Sequence, residues 1–437
     1  MEKNSFYIET YGCTSNKADS YIISNILMKN NYFVTNLNEA EYVIINTCAV
    51  KQQTENKIKT RLKNLYKTYK NEPNKYIIIA GCLPHIDPGY INVVRELVPS
   101  FSAIIDLDNI HQFPEILHQV RNGKKNLIIK STESIDKAKL LIDYPKNKIT
   151  GIVPISEGCL GSCTYCCVKN ARGTLNCYNL ENIINNAKHQ LKQGIKQLYL
   201  TSQDCSTYKY KDTNLAKLVK HLDNLDFKFI LRLGMVNPSF LINDLDQLIA
   251  IFHLNKVYKL LHAPIQSGSD NILKKMNRFY SVSELKVKIR LLKKEFPDLT
   301  FSTDIICGFP GETEKDFNET INLIKWLKPE ILNISKFTPR PGTKAKDMKQ
   351  VNSRVIKERS IRLSKIFRKS LIDMNKHWEG WEGEILILHP SEKKNQVFGR
   401  NIAYKNVFIE NYTGQYGEFV NVKIDKVDGF NLFGTLI

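Results

Sequence analysis

The chain has 437 residues, 42% hydrophobic, 24% charged and 10% aromatic. That balance excludes collagen-like, mucin-like and largely disordered classes, and the length suits two or three domains of roughly 150 residues each. Lys and Arg outnumber Asp and Glu by 63 to 44, a formal net charge of +19, which suits a polyanionic partner such as nucleic acid; a lysine-coated surface is the plain alternative.

The first segment, MEKNSFYIETYG, has no apolar core of signal-peptide length. Apolar runs such as residues 76–82 fall far short of the ~20 residues that span a bilayer. A soluble, cytoplasmic protein without a membrane partner is expected. The cytosol keeps thiols reduced, so the ten cysteines call for something other than a disulfide framework.

Residues 1–130 alternate short apolar runs with helical patterns. SFYIET, EYVIINT, YIIIAG and SAIIDL read as strands, with helices from about Lys17 and about Gln52. This alternation predicts a parallel sheet covered on both faces, with sites at the carboxyl ends of the strands. Residues 131–150, polar and containing Pro145, read as a linker. Residues 151–375 start a second βα series with six candidate strands, at 151–155, 196–201, 228–233, 259–265, 300–306 and 331–337, which predicts a partial barrel. A long basic helix over about 352–376 follows. Residues 376–437 hold five short strand-like runs and predict a small antiparallel barrel.

The charge is uneven. Residues 1–150 carry net +5, residues 151–375 net +15 and residues 376–437 net −1. Residues 51–70 hold seven basic groups and one acid, and residues 336–375 twelve and three.

Cys159, Cys163 and Cys166 form a C-x3-C-x2-C pattern just after the first strand of the second series. Three thiolates on one loop can ligate three irons of a [4Fe–4S] cluster, whereas zinc usually takes four ligands. The fourth iron is then open to the amino and carboxylate groups of S-adenosylmethionine, and the aromatic Tyr165 before the last Cys belongs to the pattern. In the N-terminal domain Cys13, Cys48 and Cys82 each follow a predicted strand directly, which puts all three at one sheet edge. A second cluster with one open iron is the convergent reading. Cys167 follows the triad but is expected to point elsewhere on a tight loop, and Cys177, Cys205 and Cys307 have no ligand spacing.

With these motifs, the whole chain resembles the radical S-adenosylmethionine (radical-SAM) methylthiotransferase family. Further matches are LHAPIQSGSDNILKKMNR (261–278), STDIICGFPGETEKDF (302–317), PRPGT (339–343) and GRNIAYKNVFI (399–409), the last similar to the signature of the TRAM domain. The resemblance implies a flavodoxin-like N-terminal domain, a TIM-like (βα)6 radical-SAM barrel and a C-terminal TRAM barrel. GCLGSCTYCCVKNARG (158–173) and LRLGMVNP (231–238) are similar to the archaeal and eukaryotic branch, which acts on N6-threonylcarbamoyladenosine beside the tRNA anticodon. The slightly acidic TRAM segment and the SQD at 202–204 are similar instead to the branch acting on a ribosomal-protein aspartate, and isopentenyladenosine in tRNA is a further family substrate. A non-catalytic iron–sulfur RNA-binding protein is the reading from another class.

The implied cofactors are two [4Fe–4S] clusters and S-adenosylmethionine. One molecule of the latter would be cleaved to a radical that abstracts hydrogen from C2 of adenine; a second would methylate the sulfur. Cofactor contacts are expected from Tyr165, Ser202, Gln203, Asp204, Arg232, Ile306 and Gly308, and RNA contacts from Lys57, Arg61, Lys67, Arg340 and Arg400. No catalytic residue is assigned beyond the cluster ligands. The partners expected are tRNA and a low-potential donor of ferredoxin or flavodoxin type, with the chain a monomer.

Overall fold

In the computed structural model, residues 4–131, 133–429 and 431–437 are described. The N-terminal sheet is parallel and six-stranded: β1 (Ser5–Thr10), β2 (Phe33–Val34), β3 (Tyr42–Thr47), β4 (Tyr76–Gly81), β5 (Ala103–Ile105) and β6 (Leu127–Ile129), in the order β2-β1-β3-β4-β5-β6. The two strands beyond the expected four are the edges. One is two exposed residues long and the other three, too short to show a period of two. Successive residues of β3 feed opposite cores: Ile44 packs beneath the helices Thr14–Lys29 and Phe113–Arg121, and Ile45 beneath Gln52–Tyr69 and Tyr90–Leu97. That double burial is why the strands read as unbroken apolar runs.

Six strands build the partial barrel in chain order: β7 (Thr150–Pro154), β8 (Gln197–Thr201), β9 (Ile230–Arg232), β10 (Leu260–His262), β11 (Thr300–Cys307) and β12 (Ile331–Lys336). They pair in parallel as two triplets, β9-β8-β7 and β10-β11-β12, linked by an isolated bridge at Leu231–Val257. All six follow the expected positions. The helix Ser353–Met374 seals the β12 side, burying Leu363 against Ile305, Phe317 and Ile324.

The C-terminal strands β13 (Glu382–Pro390), β14 (Gln396–Asn401), β15 (Asn406–Glu410), β16 (Phe419–Asp428) and β17 (Asn431–Leu436) close a barrel in the order β13-β14-β15-β17-β16. It sits against the amino ends of the larger barrel's strands, where Leu386, Leu388 and Phe398 pack on Ile149, Ile230 and Leu260. Residues 131–150 are more than a tether. Lys137 and Ala138 are buried, and Ile142 joins the N-terminal core.

Candidate active site: two cysteine triads that meet

The loop after β7 carries the first triad. Gly158 (φ +79°) lets the chain turn sharply ahead of Cys159, and a Cβ there would run into the carbonyl oxygen of Thr174. The Gly158 amide donates to Oε1 of Gln203 at 2.7 Å, and the Gly161 amide to the Cys159 sulfur at 3.2 Å. A Cβ on Gly161 would stand 3.2 Å from the Cys159 sulfur and 3.9 Å from that of Cys163, so this glycine keeps the space beside both open. The residues 275–278 brace the loop from the far side. Asn277 Nδ2 donates to Ser162, and Arg278 reaches Cys163 Sγ at 3.5 Å while donating to the Pro264 carbonyl at 2.9 Å.

The second triad forms where β1, β3 and β4 end. Asn16 Oδ1 accepts from the Cys13 thiol at 3.6 Å and from the Cys82 thiol at 3.9 Å, and Asn16 Nδ2 donates to the Tyr11 and Thr47 carbonyls. Gly12 (φ +106°) lies so close to Cys48 that a Cβ would stand 2.5 Å from its sulfur. Cys48 and Cys82 are buried and Cys13 is exposed.

The two triads share a wall. Cys167 Sγ donates to the carbonyl of Ala49 at 3.6 Å, joining the residues directly after Cys166 and Cys48. Arg172, at the end of the short helix Val168–Arg172, donates through Nε to Cys82 Sγ at 3.2 Å. Arg172 and Arg278 both escaped the residue-level reading. Each lies in a segment similar to the family, 158–173 or 261–278, but charge alone gives no hint that it points at a cysteine.

The expected cofactor residues divide into three groups. Tyr165 packs edge-on against Phe309 at 6.4 Å, beside Ile306. Gly308 donates its amide to Glu312 Oε2 at 2.8 Å and lies against Ile356. Ser202 donates to Cys205 Sγ, Gln203 holds Gly158, and Asp204 caps residues 205–207 and accepts from the Asn237 amide. Burial pushes the Asp204 carboxyl up, against hydrogen bonds from Ser206 and Asn237 that hold it down. Arg232 lies over the rings of Tyr199 and Tyr404, 4.9 and 5.5 Å from their centroids, with its Nε unpaired. His262 and Asn333, on β10 and β12, both reach Asp304 on β11, His262 at 3.3 Å and Asn333 at 2.6 Å.

The expected RNA residues also separate. Lys57 and Lys67 are exposed on the helix Gln52–Tyr69. Arg61 is half-buried and paired with Glu9 at 2.9 Å. Arg340 is 5% exposed: its guanidinium bonds Glu55, Gln52 and the Ala49 carbonyl, so its charge faces the protein. Arg400 donates to the Tyr199 hydroxyl at 2.8 Å and stacks on Tyr404 at 4.1 Å, at the seam between the two barrels. On the helix Ser353–Met374, Arg359 is buried on Glu312 and Arg362 pairs with Glu314, while Arg354, Lys357, Lys365, Arg368 and Lys369 are exposed.

The donor sets suit iron–sulfur clusters. Burial pushes the thiol of Cys82 up to about 12, so as a free thiol it stays protonated, and ligation is what would make it a thiolate. Among the described residues no three His, Cys, Asp or Glu side chains gather around a single-ion position; a four-iron cluster takes each thiolate on a different iron.

The family models agree with this architecture. The radical SAM superfamily matches residues 153–324, the uncharacterized protein family UPF0004 residues 5–100, and the TRAM domain residues 378–437. The fold resembles that of the radical S-adenosylmethionine methyltransferase TsrM of Kitasatospora setae, with TM-score 0.58 and 11% identity over 79% of this chain and 74% of that one. The molecule is thus a radical-SAM enzyme with an N-terminal α/β domain and a C-terminal TRAM barrel. A protein of Pyrococcus horikoshii named as a probable threonylcarbamoyladenosine tRNA methylthiotransferase is 37% identical over 99% of both chains. The human threonylcarbamoyladenosine tRNA methylthiotransferase is 33% identical over 96% of this chain and 71% of its own. A Sulfurihydrogenibium protein named tRNA-2-methylthio-N(6)-dimethylallyladenosine synthase is 33% identical over 99% of both. The chain belongs to the radical-SAM methylthiotransferase family. Among the described residues no helix is long and apolar enough to cross a membrane.

Proposed function

We propose that the enzyme converts N6-threonylcarbamoyladenosine next to the tRNA anticodon into its 2-methylthio derivative, using two S-adenosylmethionine and two [4Fe–4S] clusters. The names of the archaeal and human relatives support the substrate. The observation that carries the chemistry is the shared wall of the triads, where Cys167 meets Ala49. The SQD at 202–204 does not draw the assignment toward the aspartate branch, because all three side chains are engaged in holding loops.

When bound, the clusters and S-adenosylmethionine would supply one-electron radical chemistry and a sulfur able to take up a methyl group. Cys159, Cys163 and Cys166 would hold the first cluster and leave one iron for S-adenosylmethionine. Cys13, Cys48 and Cys82 would hold the second. Gln203 and Arg278 fix the first loop from opposite sides. Arg232, His262, Asp304 and Asn333 give the barrel a polar lining for cofactor and nucleoside. The loop 401–405 of the small barrel covers the amino ends of the strands through Ile402 and Ala403, and so excludes water from below. Exposed lysines of Gln52–Tyr69, which starts just after Cys48, would meet RNA phosphates. A monomeric, cytoplasmic enzyme reduced by a ferredoxin- or flavodoxin-type donor completes the reading.

Nucleoside mass spectrometry of tRNA from a deletion strain tests it. Loss of 2-methylthio-N6-threonylcarbamoyladenosine with accumulation of its unthiolated precursor is expected. Unchanged tRNA nucleosides, with a methylthio group missing from a ribosomal-protein aspartate, would overturn it.

A further inference from the structure

We propose that Arg172 is a positioning residue for the N-terminal triad, setting a fixed cation against the Cys82 sulfur and tying that site to the loop that carries Cys159. This rests on the reading that Cys13, Cys48 and Cys82 hold a cluster.

Arg172 belongs to the barrel domain, six residues after Cys166, yet its guanidinium lies within the N-terminal site. Nε donates to Cys82 Sγ at 3.2 Å. Nη2 donates to Asn16 Oδ1 at 2.7 Å and Asp19 Oδ2 at 2.8 Å. Nη1 donates to Glu157 Oε1, two residues before Cys159. Asn16 Oδ1 is the same atom that faces the thiols of Cys13 and Cys82. One planar fork therefore orders one triad and grips the start of the loop bearing the other, a task for which lysine lacks the geometry.

The surroundings explain why a charge is kept here. Lys137 pairs with both Asp19 and Glu157, closing a quartet of two cations and two carboxylates whose side chains are 2–8% exposed. Replacing such buried ionic groups by apolar ones is often neutral or stabilising, so stability alone is weak grounds for retaining them. Within the quartet the charges balance. Two Arg172 contacts fall outside the quartet, Nη2 to Asn16 Oδ1 and Nε to the Cys82 sulfur, and both belong to the triad. A cation and an N–H···S bond favour the more negative state of a cluster, so Arg172 raises its reduction potential. Chained to both loops, it also holds the sulfur-bearing site at a set position relative to the radical-forming one.

The test uses full-length protein carrying Cys159→Ala, Cys163→Ala and Cys166→Ala, reconstituted anaerobically so that only the N-terminal site loads. In this background Arg172→Met with Asp19→Asn, which keeps the quartet balanced, is compared with Asp19→Asn alone. Arg172→Lys, which keeps the charge without the Nε–H, is read beside them. Iron content, the electron paramagnetic resonance spectrum after dithionite reduction and the potentiometric midpoint are measured. About four irons per chain are expected, with altered g-values and a more negative midpoint for Arg172→Met, and an intermediate midpoint for Arg172→Lys. Four irons with an unchanged spectrum and midpoint would overturn the role of Arg172 and leave the cluster reading intact. A parent background that binds no iron would overturn both.

Discussion

The hydroxyls of Tyr199 and Tyr404 meet at 2.8 Å across the seam between the large and small barrels. Tyr199 points inward from β8, and Tyr404 comes from the TRAM loop. Arg232 and Arg400 lie over the Tyr404 ring at 5.5 and 4.1 Å. The TRAM domain is thus built into the floor of the barrel. Arg400→Ala removes one stacked cation and one hydrogen bond, together on the order of 1–3 kcal/mol. Limited proteolysis should then cut faster between residues 374 and 382, while the isolated effect on the remote N-terminal domain stays small.

The basic helix gives a prediction about RNA. Lys57 and Lys67 are exposed, whereas Arg61 is held by Glu9. Lys57→Glu with Lys67→Glu should weaken tRNA binding and lower the slope of log affinity against log salt by about 0.7–0.9 per lost phosphate contact. Arg61→Gln should change the slope less. Filter binding across a salt series would show it; an unchanged slope in the double variant would put the RNA elsewhere.

Reconstituted protein should bind close to eight irons, about four per cluster. Replacing Cys159, Cys163 and Cys166 by Ala should leave about half. Iron content unchanged by that triple replacement would remove the barrel triad from the ligand set.

Asp108 gives a pH prediction. Burial, then the nearby Glu157 charge, raises its carboxyl to about 6. The native state therefore binds this proton more tightly than the unfolded chain, and stability falls as pH rises from about 4 to about 6, then levels. Asp108→Asn removes the cost of the buried charge. It should raise the melting temperature at pH 7–8 and leave it little changed near pH 4, measured by thermal scans at both pH values.

The N-terminal sheet was legible because it is buried on two faces, so its central strands appear as apolar runs, and β1, β3 and β4 lead into Gly-Cys, Thr-Cys and Gly-Cys. The short edge strand Phe33–Val34 was not, since neither residue is buried. Both triads could be read from spacing and strand position. What spacing cannot reveal is where an arginine's charge goes. Arg340 and Arg400 sit in basic or RNA-associated motifs, but Glu55 neutralises the first and aromatic rings cover the second. Arg172 is the converse case, a cation whose partners come from residues 16, 19, 82 and 157, brought together only by domain packing.

One reaction tests the division of labour between the triads. Cys13→Ala/Cys48→Ala/Cys82→Ala protein is incubated anaerobically with dithionite, S-adenosylmethionine and tRNA bearing threonylcarbamoyladenosine, and 5′-deoxyadenosine and the methylthio nucleoside are quantified together by mass spectrometry. 5′-Deoxyadenosine without methylthio product is expected. Methylthio product at the parent level, or loss of 5′-deoxyadenosine from a folded variant, would contradict it.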